Sequence, residues 1–196
     1  PIETHRGCPY TCTFCNSPAQ NKLYSSVTKS KFFRKKSVEK IHEELTIFKE
    51  QWKGEYVFFW ADTFFSWSND ELEEFAELYL EISLPFWCQT RIETVTAGKI
   101  EKLRDVGLNR ITFGLEHGNE KFRKEVIKRE YSNEQAIKKI QVLHDFDIPF
   151  SVNNIIGFPD ETRELAFNTI ELNRKLKSDS ISCSIFVPFH GTELRE

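Results

Sequence analysis

In residues 37–61, SVEKIHEELTIFKEQWKGEYVFFWA, the hydrophobic period changes once, and that change decides the fold class. Val38, Ile41, Leu45, Phe48 and Trp52 recur at spacings of three and four behind Ser37, a residue suited to cap a helix, so this part predicts an amphipathic helix with one apolar stripe. Gly54 stops it. Residues 56–61 then run apolar and aromatic without polar alternation, the pattern of a strand buried on both faces.

The helix–strand unit repeats outward. Asn69 is expected to cap a helix carrying Leu72, Phe75, Tyr79 and Ile82. Residues 86–90 read as a strand, 97–106 as a helix stopped by Gly107, and 110–115 as a strand. Residues 132–145 read as a helix with Ala136, Ile140 and Leu143 inward, 149–156 as a strand, 161–176 as a helix with Leu165, Thr169 and Leu176 inward, and 181–187 as the last strand. With a first strand at residues 2–5 this makes about six βα units, and such alternation demands right-handed crossovers and a parallel sheet. Either an open doubly wound sheet or a curved, incomplete barrel satisfies it. The absence of G-x-G-x-x-G after the first strand favours the barrel.

Composition sets the outer bounds. The 196 residues are 39% hydrophobic and 29% charged, with Gly 8 and Pro 7, which suits one globular domain. Lys+Arg 27 against Asp+Glu 30 leaves a formal charge of -3, so no global positive field draws the chain to nucleic acid or anionic membranes. Apolar runs such as residues 56–61 are far shorter than the ~20 residues of a membrane span, and no signal-peptide pattern opens the chain, so a cytoplasmic protein is expected. The start at Pro1 and the charged end Glu193-Leu194-Arg195-Glu196 suggest a domain cut from a longer polypeptide.

The chemical signal lies in Arg6-Gly7-Cys8-Pro9-Tyr10-Thr11-Cys12-Thr13-Phe14-Cys15, a C-x-x-x-C-x-x-C loop directly after the first strand. Clustering within an odd total of five cysteines argues against a disulfide framework and for a metal or cluster site. Cys88 and Cys183 stand alone in strand-like runs and read as small buried hydrophobes. A structural zinc site would need His5 as fourth ligand, and an electron-transfer cluster would need Cys88 or Cys183. A three-cysteine iron-sulfur site leaves one iron for something else, which is how a metal site does catalysis.

In a parallel barrel the chemistry gathers at the carboxyl ends of the strands. Those ends are polar here: Asp62-Thr63-Phe64, then Arg91 and Glu93, then Glu116-His117-Gly118-Asn119, then Asn153 and Asn154 before Gly157-Phe158-Pro159-Asp160-Glu161-Thr162, and finally Pro188-Phe189-His190-Gly191-Thr192. The basic stretch Lys29, Lys31, Arg34, Lys35 and Lys36 reads as a solvated loop, with contact to an anionic substrate or RNA as the alternative.

The cysteine loop, with Phe14 before its last Cys, resembles the signature of the radical S-adenosylmethionine (radical SAM) superfamily. The strand-end motifs resemble the branch that usually follows a cobalamin-binding domain and shares features with methylthiotransferases. The resemblance spans nearly the whole chain; His117 and His190 depart from it, and both are expected to face the barrel mouth. It implies a partial parallel (βα)6 barrel holding a 4Fe-4S cluster on Cys8, Cys12 and Cys15. S-adenosylmethionine would chelate the unique iron and be cleaved reductively to a 5′-deoxyadenosyl radical. Residue by residue it implies Phe14 near the adenine, Asp62 and Thr63 at the ligand's ammonium, Arg91 at its carboxylate, Glu116 at the ribose hydroxyls, and Ile155 and Gly157 beside the adenine ring. An ion pair of Arg91 with Glu93 or Glu116 is the structural alternative, and His117 and His190 read as hydrogen-bonded structural or surface histidines, with proton transfer as the alternative for each.

The implied reaction is cobalamin-assisted methylation or rearrangement of an unactivated carbon, with cobalamin bound by an N-terminal flanking domain and a further region C-terminal. The implied partners are a small-molecule or peptide substrate and an external electron donor of the flavodoxin or ferredoxin type. Methylthiolation, which needs an auxiliary cluster, and a zinc-stabilised binding module are the alternatives.

Overall fold

The computed structural model describes residues 1–195. Six parallel strands form one sheet: β1 (Ile2–Glu3), β4 (Val57–Trp60), β5 (Phe86–Thr90), β6 (Leu108–Glu116), β7 (Phe150–Ile156) and β8 (Ser180–Ile185), hydrogen-bonded in that order. The sheet follows chain order in one direction and does not close, since β1 and β8 are not paired. A separate antiparallel pair, β2 (His5–Arg6) with β3 (Arg34–Lys35), brackets the cysteine loop and α1 (Ser17–Thr28).

Helices α2 (Val38–Glu50), α3 (Asn69–Ile82), α4 (Ala97–Val106), α6 (Asn133–Asp145) and α7 (Arg163–Leu176) cover one face. Their starts are written in the side chains. Ser37 accepts from the Lys40 N–H, Thr96 from Lys99 and Thr162 from Leu165, and Ser68 and Ser132 form capping boxes with Glu71 and Gln135. The expected Asn69 cap is therefore corrected by one residue, because the Ser68–Glu71 reciprocal pair satisfies two N–H groups at once. The stripe of α2 ends early: Val38, Ile41 and Leu45 are buried, but the helix stops at Glu50 and Trp52 is exposed. No helix among the described residues is long and apolar enough to cross a membrane.

The strands alternate, contrary to the expectation of burial on both faces. Val57, Phe59, Phe86, Cys88, Ile111, Phe113, Phe150 and Val152 pack into the core beneath the helices. On the opposite, inner face, Phe58 and Trp87 are half-buried, Trp60 is 55% exposed, and a polar row crosses the sheet. Trp87 Nε1 donates to Thr112 Oγ1 (2.8 Å), Thr112 meets Ser151 (2.6 Å), and Ser182 donates to Asn153 (2.7 Å). The inner face thus mixes aromatic rings with hydrogen-bonding side chains and is not covered by a second apolar layer of this chain's described residues. β8 is exposed throughout, so Cys183 is not the buried hydrophobe expected, whereas Cys88 is fully buried and desolvation pushes its thiol far up.

Candidate cluster and cofactor site

The cysteine loop leaves β2 through Gly7, whose φ of +80° and close approach to the Phe32 ring require glycine. It re-enters regular structure at α1. The Cys15 N–H donates to the Cys12 carbonyl (3.1 Å), and the Cys8 N–H donates to Ser17 Oγ (3.2 Å). All three sulfurs lie within electrostatic reach of one another, and each meets a polar partner. Cys8 Sγ is 3.8 Å from the Thr63 hydroxyl, Cys12 Sγ accepts from Arg91 Nη1 at 3.0 Å, and Cys15 Sγ accepts from the Ser17 N–H at 3.4 Å. Burial pushes the Cys8 and Cys15 thiols up, and the neighbouring sulfurs and Asp62 add to it. These are thiols that a metal must deprotonate.

Among the described residues no three His, Cys, Asp or Glu side chains close on a point that could hold a single ion. A cubane asks for something different, because each cysteine then bonds a different iron. Three thiols within electrostatic reach of one another, with no fourth protein ligand closing on them among the described residues, suit a cluster with one open iron better than a closed four-ligand zinc site.

His5 does not complete a zinc site. Its ring is buried between Phe33 (centroids 5.9 Å) and Trp67 (5.0 Å), its Nδ1 lies 2.8 Å from Thr4 Oγ1, and its Nε2 has no partner. Burial first, then the nearby Lys35, lowers its pKa to about 4. A buried neutral imidazole must take a proton when the chain unfolds in mild acid, so stability is complete above the unfolded pKa of about 6.5 and falls as pH drops toward 4. Folding should lose about 2 kcal/mol between pH 7 and pH 5 by urea denaturation, and His5→Phe should flatten that slope.

Two arginines converge on Cys12. Arg91, at the end of β5, is buried, stacks on the Tyr10 ring (3.9 Å) and pairs with Glu93 through Nε–Oε1 at 2.6 Å. It thus holds the ion pair weighed as the structural alternative and touches the cluster loop as well. Arg129, which the sequence reading missed, lies between α5 (Glu120–Glu125) and α6. It donates to Glu116 Oε1 (2.9 Å) and to the Gly114 carbonyl, and its guanidinium stands 5.7 Å from the Phe14 ring centroid and in electrostatic reach of Cys12. Burial opposes the Arg129 charge, yet Glu116 and Cys12 outweigh it and drive its pKa up. Burial raises the Glu116 carboxyl against the pull of Arg129 and Arg91.

Glu116 faces this cluster of charges because β6 slips register between Gly114 and Glu116 and Glu116 takes φ +67°. A Cβ at position 114 would overlap the Glu116 carboxylate and crowd Arg129. Gly114→Ala should therefore cost about 1–3 kcal/mol in urea unfolding while iron loading is kept.

Thr63 is buried beside Cys8. Asp62 reaches solvent at the rim, although its loop withdraws enough water to push its carboxyl up. His117 is corrected. It does not face the mouth but is fully buried, stacked on Phe122 (4.3 Å), with Nδ1 accepting from the Asn119 N–H (3.0 Å) and Nε2 on Glu161 Oε1 (3.0 Å). Glu161 in turn accepts from the N–H groups of Gly157 and Phe158. His117 thus staples the turn after β6 to the turn after β7, and positions Gly157, whose φ is +80°. Ile155 and Phe14 pack on the small second core of Phe122, Ile127 and Phe158, which seats the cysteine loop. His190 is exposed in the turn after β8 and no hydrogen bond fixes its ring among the described residues. Asn153 faces inward, whereas Asn154 is buried on the helix side against Asn173. A groove of about 760 Å³ flanks the loop along Tyr10, Arg91, Lys128 and Gln135; of the residues expected to hold a cofactor, only Arg91 lines it.

The radical SAM superfamily profile matches residues 2–172. The chain is 29% identical over its full length to an uncharacterised methyltransferase of Pyrococcus horikoshii and spans 41% of that protein. It is 29% identical over 126 residues, 62% of this chain and 27% of the relative, to a tRNA-2-methylthio-N(6)-dimethylallyladenosine synthase of Thermosipho melanesiensis. In fold it is similar to the radical S-adenosylmethionine methyltransferase TsrM from Kitasatospora setae, solved with tryptophan and a SAM analog, with a TM-score of 0.80, 15% identity, 99% of this chain covered and 37% of that one. The parallel strands, the cysteine loop and the family match agree: this chain belongs to the radical SAM superfamily, and its sheet is that superfamily's partial (βα)6 barrel.

Proposed function

We propose that this chain is the core of a radical SAM methyltransferase acting on an unactivated carbon with the help of cobalamin held by a flanking domain. The observation that carries the reading is the set of three cysteine sulfurs, each with a polar partner, gathered beside two buried guanidiniums at the ends of β5 and β6. Cys8, Cys12 and Cys15 hold a 4Fe-4S cluster. Bound there, the group would supply the one electron needed for reductive cleavage of S-adenosylmethionine to methionine and a 5′-deoxyadenosyl radical.

The chain's own residues bind and orient that ligand. Arg91 and Arg129 offer positive charge for its carboxylate, Asp62 and Thr63 accept its ammonium, and Glu116 accepts from the ribose hydroxyls. Gly157 and Ile155 flank the adenine, with Phe14 beside them. The polar inner face of the sheet leads from this site and is available to a small-molecule or peptide substrate. Within this chain Cys88 is sealed in the core and Cys183 lies exposed on β8, so the second cluster that methylthiolation needs would have to be held by residues outside this chain. The relative from Pyrococcus supports methyl transfer, and its extra length leaves room for a cobalamin-binding domain.

The test is anaerobic reconstitution with iron and sulfide, then mass-spectrometric assay for 5′-deoxyadenosine under dithionite. Iron, sulfide and 5′-deoxyadenosine are expected together. Zinc without iron in anaerobically purified protein, or no cluster absorbance, overturns the reading.

A further inference from the structure

The charge of the chain is not spread evenly. Residues 4–38 hold seven Lys and Arg and no Asp or Glu, so the segment that bears the cysteines carries +7, while the other residues hold 20 cations against 30 carboxylates and carry −10. Three of the seven cations are neutralised by neighbours: Arg6 by Glu3 (2.8 Å), Lys35 by Glu71 (2.6 Å) and Lys36 by Glu44 (2.7 Å). The other four, Lys22, Lys29, Lys31 and Arg34, are exposed and pair with no carboxylate among the described residues. Arg34 is held in place over the Tyr24 ring (4.9 Å) and donates to its hydroxyl.

This basic surface belongs to the cysteine loop itself. Its α1 starts at Ser17, which bonds both Cys8 and Cys15, and its β3 strand sets Arg34 opposite Arg6, two residues before Cys8. Leu23 (66% exposed) and Val27 (74% exposed) stand one turn apart on α1, so aliphatic surface lies among the cations. A long, water-exposed helix with no capping side chain and two outward aliphatics gains nothing for the core.

We propose that this face docks an acidic one-electron carrier protein of the flavodoxin class, which delivers the electron to the cluster. The proposal rests on the cluster reading above. One electron leaves the reduced flavin of the carrier and arrives on the cluster; no bond forms or breaks, and no proton moves on this chain. Four unpaired cations give a negatively charged protein an attractive, salt-sensitive approach, and Leu23 and Val27 give it a desolvated contact beside the loop. RNA fits less well. Phosphate recognition by about six to ten contacts asks for more than four free cations, and the aromatics of the patch are engaged within the fold: Tyr24 lies under Arg34 and against Phe32 (centroids 5.8 Å), and Phe33 stacks on His5 (5.9 Å).

The experiment follows reduction of the reconstituted chain by stopped-flow absorbance, with reduced flavodoxin as donor and with dithionite as a donor that needs no docking, alongside titration of oxidised flavodoxin. K22E/K31E/R34E should cut the second-order rate with flavodoxin about tenfold or more, and raising salt from ~20 to ~300 mM should slow the wild type by a similar factor but leave the variant nearly flat. The dithionite rate should not change. K22E/K31E keeps Arg34 on Tyr24 and should show a smaller loss of the same kind. L23S/V27S should weaken docking without altering the salt dependence. Wild-type flavodoxin rates in the triple variant overturn the proposal, as does loss of labelled tRNA binding in that variant with the flavodoxin rate unchanged. If dithionite drives 5′-deoxyadenosine formation but flavodoxin does not bind, only the docking surface fails. If flavodoxin binds in the charge-dependent manner but no donor yields 5′-deoxyadenosine, the cluster reading fails and the surface stands.

Discussion

Cys12→Ala abolishes the cluster, with iron per chain falling to background and 5′-deoxyadenosine to below detection, while the sheet and helices remain. Cys12 is the most buried of the three cysteines at 5% exposure, and it is the only one whose sulfur meets a cation directly, at 3.0 Å from Arg91. With Arg129 also in electrostatic reach, the negative charge that a thiolate–iron unit brings into the barrel is compensated at this corner first. Cys8 and Cys15 lack such help, and burial raises both thiols, so loading must release protons and should proceed faster at pH 8.5 than at pH 7. Cys183→Ser, on the exposed edge strand, should leave iron content and activity at wild-type level and so serves as the control. Retention of a full cluster in Cys12→Ala would show that another residue holds the iron.

The sheet was legible because strand residues and capping residues announce themselves. The apolar run at residues 56–61, the residue-for-residue span of β5, and Ser37, Ser132 and the α4 boundaries all follow from period and cap chemistry. What escaped has physical reasons. The helix α1 has no side-chain cap, exposes Leu23 and Val27, and is held by Pro18 in its first turn and by Ser17 against the cysteine loop, so no periodic stripe marks it. The short helix α5 is likewise pinned by tertiary bonds, chiefly through Arg123, which is fully buried and donates to the carbonyls of His117 (2.8 Å) and Tyr131 (2.9 Å).

The same logic divides the site. The cysteines and the turns at Asp62, Arg91, Glu116 and Gly157 are found from their places at strand ends. Direction is not. Residues 116 and 117 are neighbours, yet the register slip in β6 sends Glu116 to Arg129 and His117 to Glu161, where it ties two turns rather than facing the mouth. Arg129 sits in no motif and precedes a helix cap, where an arginine ordinarily faces water; only the buried carboxylate it meets reveals it.

Arg129→Met should lower stability by about 3–5 kcal/mol, because a methionine fills the space but leaves Glu116 buried without its cation. Arg129 donates both to that carboxylate and to the Gly114 carbonyl, so the substitution also strands a backbone acceptor beside the strand slip. Burial already pushes Glu116 up against Arg129, and without the guanidinium the carboxyl should stay protonated well above its unfolded pKa. A raised carboxyl favours the folded state in acid and loses that advantage as pH rises toward the folded pKa, so Arg129→Met should grow less stable from pH 6 to pH 8 in urea titrations. E116Q/R129M removes the stranded charge and should recover most of the stability and erase the pH slope. It should still bind S-adenosylmethionine weakly despite a full cluster, since neither the charge near Cys12 nor the carboxylate at the end of β6 has been restored. A double variant that binds as the wild type does would make the Glu116–Arg129 pair a purely structural ion pair and leave Arg91 as the only cation serving the ligand.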